Sequence, residues 1–156
     1  MARPAQTGFT IVELMLVLAV LGTVLAFGVP QFRELRANAA LRGTTMDLVA
    51  ALNLSRAEAV SLRATINVVP LSGSAWSSGW SLEFPADRAD DNRSFNARPG
   101  VQVVESAGLA ALQFRANGTV SSAAEFTICD GRGGERGRRI RINQLGRMNN
   151  EEIICP

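Results

Sequence analysis

The chain has 156 residues, enough for one domain with a real core, and a formal net charge of only +2, so its bulk charge points to no particular partner. It contains no His and no Tyr, and all sixteen basic residues are Arg. Without His the commonest metal ligand and general base is missing, which argues against hydrolase and metalloenzyme chemistry.

Residues 1–8 form a short polar leader whose one positive side chain, Arg3, favours keeping that end in the cytoplasm. From Phe9 to Val29 the chain reads FTIVELMLVLAVLGTVLAFGV, with Glu13 as its one charge. As a helix this run spans roughly 30 Å, the thickness of a bilayer core. A secretory signal cut near Ala26 and an ordinary single-span anchor are two readings of it. A carboxylate inside such a segment costs about 2.5–3.5 kcal/mol or more, and so reads as functional. The helical pattern also continues where a signal would stop. Leu41, Thr45, Leu48, Leu52, Ser55, Ala59 and Leu62 recur at alternating spacings of three and four, with most charges off that stripe. A helix from about Phe9 to Leu62 follows, and Pro30 should kink it or mark the membrane exit.

After Leu62 the period changes to short β-prone runs: Ala64–Val69, Trp80–Phe84, Val101–Glu105, Ala111–Arg115, Glu125–Cys129 and Arg138–Asn143. Gly, Ser, Asn, Asp and Pro clusters separate them, and Asn117-Gly118 fits a tight hairpin turn. Residues 85–100 read as a polar loop. Trp76 and Trp80, in a Ser/Gly-rich stretch, are expected to cap a sheet or its edge rather than to meet a partner. A long helix followed by strands implies an α+β fold, with the helix laid on an antiparallel sheet. Cys129 and Cys155 form a disulfide if the domain lies outside the cytoplasm, and are otherwise two buried thiols. Between Cys129 and Arg147 stand six Arg against two carboxylates, a local net charge of +4. In the run Arg138–Asn143, alternation puts Arg139 and Arg141 on one face and Ile140 and Ile142 on the other. Arg132, Arg136 and Arg138 are expected on a mobile Gly-rich loop. Clustered guanidinium groups suit phosphate contacts, although an exposed Arg cluster also serves as a solvated face or a subunit contact. No paired carboxylates, no Cys-x-x-Cys and no phosphate loop leading into a helix appear, so no enzyme, metal or cofactor is expected.

Gly8-Phe9-Thr10-Ile11-Val12-Glu13 ahead of a long apolar stretch closely resembles the prepilin signature of type IV pilins and type II secretion pseudopilins. Further on, Leu54-Ser55-Arg56-Ala57-Glu58-Ala59-Val60, Phe114 with Asn117-Gly118, Ile128-Cys129-Asp130, Arg139-Ile140-Arg141-Ile142, Gly146-Arg147 and Cys155-Pro156 resemble the GspH/FimT minor pilins and pseudopilins. The resemblance implies a pilin-like fold in four parts: a leader at 1–8, a transmembrane and filament-core helix at 9–29, its amphipathic continuation at 30–62, and a β-rich periplasmic domain at 63–156. It implies that prepilin peptidase cuts between Gly8 and Phe9 and methylates Phe9. Glu13 would then pair with the new amine of a neighbouring subunit during filament assembly, where a buried carboxylate needs a counter-charge. The implied partners are prepilin peptidase, other pilins or pseudopilins, and the inner membrane. A single-pass protein later built into a pilus or pseudopilus follows, acting as a structural subunit near a tip or in a secretion piston. Some members of the family bind DNA through a Gly-Arg-x-Arg motif. The matching place here reads Gly146-Arg147-Met148-Asn149, with Asn in place of the second Arg. DNA is therefore a further candidate partner, with Arg136, Arg138, Arg139, Arg141 and Arg147 as its contacts.

Overall fold

The structure, a computed structural model, describes residues 10–156. Gly8 and Phe9 lie outside the described residues. The long helix α1 covers Ile11–Leu62, and its assignment continues through Pro30. Residues up to Arg36 and residues 37–156 form two compact units. In the first unit the side chains of residues 10–26 are all exposed, including Ile11, Leu16, Leu21 and Leu25. Thr10 precedes α1 and its hydroxyl accepts the Glu13 N–H at 3.2 Å. Thr10-Ile11-Val12-Glu13 thus has the spacing of a capping box, with its acid in the first turn where the helix dipole favours it. Arg36 lies over the Phe32 ring, one turn away, at 5.6 Å.

In the second unit the three-and-four stripe of α1 is buried. Leu41, Thr45, Leu48, Leu52, Ser55 and Ala59 lie inside, joined by Thr44 and Ala51. The polar residues on that face have hydrogen-bond partners, two within the helix and one across the fold. Thr45 and Ser55 donate to the carbonyls of Leu41 and Ala51, both at 2.8 Å, and the Thr44 hydroxyl accepts the Arg98 N–H at 3.1 Å. A polar residue can therefore hold a core position on this face at little cost.

Eight strands follow: β1 (Ile66–Pro70), β2 (Trp80–Glu83), β3 (Arg93–Phe95), β4 (Val101–Glu105), β5 (Leu112–Phe114), β6 (Ala124–Asp130), β7 (Arg136–Ile142) and β8 (Met148–Ile154). They form two four-stranded antiparallel sheets, ordered β3-β2-β1-β5 and β4-β6-β7-β8. The two sheets and α1 share one apolar core.

Three differences from the sequence reading stand out. The polar segment 85–100 contains β3, which pairs with β2. Arg136 and Arg138 lie in β7 rather than on a loop. Trp76 and Trp80 are not at a sheet edge but in the core, at 2% and 0% exposure. Trp76 meets Phe126 edge-on at 4.8 Å between ring centres, and its Nε1–H donates to the Leu109 carbonyl at 3.0 Å. Rings sealed in this way cannot meet a partner.

Candidate functional site

The candidate arginines gather on the sheet formed by β4, β6, β7 and β8, and its pleat sorts them. Ile140 and Ile142 are buried on the inner face, as the alternation requires, while Arg139 and Arg141 stand on the outer face. Register brings carboxylates to both. Glu125 in β6 is opposite Arg141, and Glu151 in β8 is opposite Arg139. Arg141 donates from Nε to Glu125 at 2.7 Å and reaches Glu151 at 3.0 Å. Arg139 lies 3.3 Å from Glu125 and 3.5 Å from Glu151, with its Nε out of hydrogen-bond alignment. The Arg141 hydrogen bond is the main cause holding the Glu125 carboxyl below the usual carboxylate range, and Arg139 adds to it.

The remaining arginines between Cys129 and Arg147 are paired as well, with Arg147 the exception. Arg136 and Arg138 share Glu152 at 3.2 and 3.6 Å. Arg132 closes on Asp130 at 2.6 Å and also donates to Asn38 of α1 at 2.8 Å. That clamp holds the Asp130 carboxyl below its ordinary value. The Arg147 side chain is exposed and has no hydrogen bond or ion pair among the described residues. The +4 counted along the chain is thus largely neutralised by Glu125, Glu151 and Glu152. Sequence spacing gave no sign of this, because those partners arrive through strand pairing.

The glycines near the motifs have packing roles. Gly137 lies where a Cβ would collide with both sulfurs of the Cys129–Cys155 disulfide, so its bare backbone lets the bridge cross β7. The bridge closes a 26-residue separation that contains β7 and β8 whole. Gly146 has φ +71°, and a Cβ there would strike the Gly118 carbonyl. Arg56 of α1 ties the two turns together, donating to the carbonyls of Gly118 at 3.1 Å and Leu145 at 3.2 Å. The Gly146-Arg147 pair therefore marks a close turn-to-turn contact, whatever else it does. Sequence reasoning missed Arg56 as a clamp, since only the fold brings residues 62 and 89 positions away to it. No group of three or more His, Cys, Asp or Glu is placed to hold a metal among the described residues.

The family model described as type II transport protein GspH matches residues 44–146, more than half of the chain. The chain belongs to the GspH family. The model of the prokaryotic N-terminal methylation motif matches residues 3–29, which include Gly8, Phe9 and Glu13. Comparison with the curated proteins gives no match. Among solved structures, the type IV minor pilin FimU of Pseudomonas aeruginosa is similar at 28% identity and a TM-score of 0.64, over 73% of this chain and 90% of that one. A second crystal form of FimU gives 28% and 0.61, over 71% and 92%. The minor pseudopilin EpsH from the type 2 secretion system of Vibrio cholerae gives 14% and 0.56, over 71% and 95%, a likeness of fold. This GspH-family protein is therefore pilin-like, with α1 packed on antiparallel sheets and an N-terminal segment apolar enough to cross a membrane.

Proposed function

We propose that the protein is a structural minor pilin, anchored in the inner membrane by residues 9–29 and then drawn into a type IV pilus at or near its tip. One observation carries this reading: from Ile11 to Leu25 α1 leaves its large apolar side chains exposed, with Glu13 as the one charge among them. Such a surface needs lipid first and neighbouring helices later. Prepilin peptidase cuts after Gly8 and methylates Phe9, and Glu13 pairs with the amine of a neighbouring subunit. The 63–156 domain faces the periplasm, where the Cys129–Cys155 disulfide forms. The higher identity to FimU than to EpsH favours a pilus over a type II secretion pseudopilus.

The test is Glu13→Ala in the producing organism. The variant should be cleaved and methylated at Phe9 like the wild type, yet be absent from sheared filaments. Wild-type incorporation of the variant would remove Glu13 from the mechanism. Deletion of the gene separates the two machines, since a minor pilin deletion lowers piliation and a pseudopilin deletion blocks protein secretion. DNA uptake is the less supported reading, because Arg136, Arg138, Arg139 and Arg141 already face carboxylates.

A further inference from the structure

The outer edge of β8 is open. In the β7–β8 ladder the bonds Asn143 N–H to Arg147 O and Cys155 N–H to Glu135 O fix which residues face β7. Hydrogen-bonded pairs alternate, so odd-numbered residues of β8 point their backbone groups at β7. Met148, Asn150, Glu152 and Ile154 therefore turn their N–H and C=O groups away from the sheet, and β8 ends the strand order. The edge has no Pro within it to block an added strand, and its charges are the two carboxylates Glu151 and Glu152.

Strand alternation puts these even-numbered side chains on the face of Ile140 and Ile142, and one of them, Glu152, lines a cleft of about 300 Å³ together with Glu135–Arg138 and Asn38, Leu41 and Arg42 of α1. Its charged lining is Arg42, Arg136 and Arg138 against Glu135 and Glu152, three positive charges to two negative. Arg42 has no ion pair or hydrogen bond among the described residues. The cleft thus carries one net positive charge.

We infer that β8 is a docking edge for an extended segment of a different protein chain, which adds as a strand and places an acidic side chain in the cleft beside Arg42. Strand addition supplies affinity through main-chain bonds, and the cleft supplies selectivity through one alternate side chain. A second copy of this chain is the wrong occupant. Because its even-numbered residues bond outwards, an antiparallel β8–β8 pair centred on the glutamates sets Glu151 opposite Glu151 or Glu152 opposite Glu152, and like charges directly opposite destabilise a sheet. This inference rests on the folded domain alone and stands apart from the filament reading.

The test uses the full chain in detergent micelles and a displayed library of ten-residue peptides, Val and Thr at alternate positions with random residues between. Peptides with Asp or Glu at a random position should be enriched about tenfold, the factor conferred by one charge-assisted contact. Asn150→Pro removes an outward N–H that takes no part in the β7–β8 ladder, so it should abolish capture while leaving the domain folded. Arg42→Glu turns the cleft from one net positive to one net negative charge and should switch the selection to Lys and Arg. Circular dichroism and the intact disulfide check the fold of both variants. Selection without charge preference, or a preference unchanged in either variant, overturns the inference. So does self-association that Asn150→Pro abolishes, because the occupant would then be a second copy.

Discussion

The two faces of the β4-β6-β7-β8 sheet are built from alternate residues of the same strands, yet they do different work. The inner face presents Val101, Val103, Phe126, Ile128, Ile140 and Ile142, all buried. The outer face presents Glu125, Arg139, Arg141 and Glu151, with the disulfide crossing at Gly137. Apolar burial stabilises by about 1.5–3 kcal/mol per large side chain, whereas an exposed ion pair contributes roughly 0–1 kcal/mol. The inner face therefore holds the fold together. The outer face decides how much positive charge a partner can meet, and the answer is far less than the arginine count suggests.

Breaking the inner face should have the largest effect. Phe126→Ala removes a fully buried ring that Trp76 meets edge-on, and should cost about 3–5 kcal/mol in denaturant unfolding of the full chain in mild detergent. A loss below about 1 kcal/mol would mean the surrounding core collapses into the space. Replacing both Cys129 and Cys155 by Ser should cost roughly 3 kcal/mol through the released loop entropy. Gly137→Ala should weaken the same bridge by crowding its sulfurs, seen as faster reduction by dithiothreitol.

Acid should act next. The carboxyl groups of Asp130 and Glu125 are held below their ordinary values, so their contribution is complete above the unfolded pKa and is lost as pH falls through the folded one. The unfolding free energy should therefore drop below about pH 4, the ordinary aspartate and glutamate range. Asp130→Asn should flatten that drop, and an unchanged acid limb would mean other groups set it. Glu125→Gln together with Glu151→Gln should change stability least, because exposed ion pairs contribute little. It should, however, free Arg139 and Arg141. Binding to a polyanion should then appear and weaken with salt by about 0.9 log units per phosphate neutralised. If the double variant binds no better than wild type, ion pairing is not what silences that face.

Where one local period governs, the sequence was readable. The α1 stripe, the bounds of β4 and the two-faced pattern of β7 all follow from spacing alone. β8 escaped notice because Met-Asn-Asn-Glu-Glu has little strand propensity and only Met148 packs on the core. It is a strand because β7 offers it a ladder. β3 was hidden in a run rich in Asp, Arg and Asn, and needs β2 in the same way. The Ser/Gly surroundings of the two Trp residues point to the surface, while their burial comes from residues far along the chain. The arginine partners were invisible for a related reason: pairing Arg141 with Glu125 depends on a register set by the whole sheet.

The cap at the start of α1 gives Glu13 a location as well as a charge. Glu13 is the third residue of the helix, in the turn whose N–H groups lack carbonyl partners within it, and Thr10 already holds its backbone. In oily surroundings those free N–H groups and the dipole end are the polar company a carboxylate there can keep. Moved two turns along, to Val20, the same carboxylate would lie among closed hydrogen bonds and meet nothing but side chains. An exchange variant, Glu13→Val with Val20→Glu, keeps composition and length unchanged and should still insert less readily than the native order.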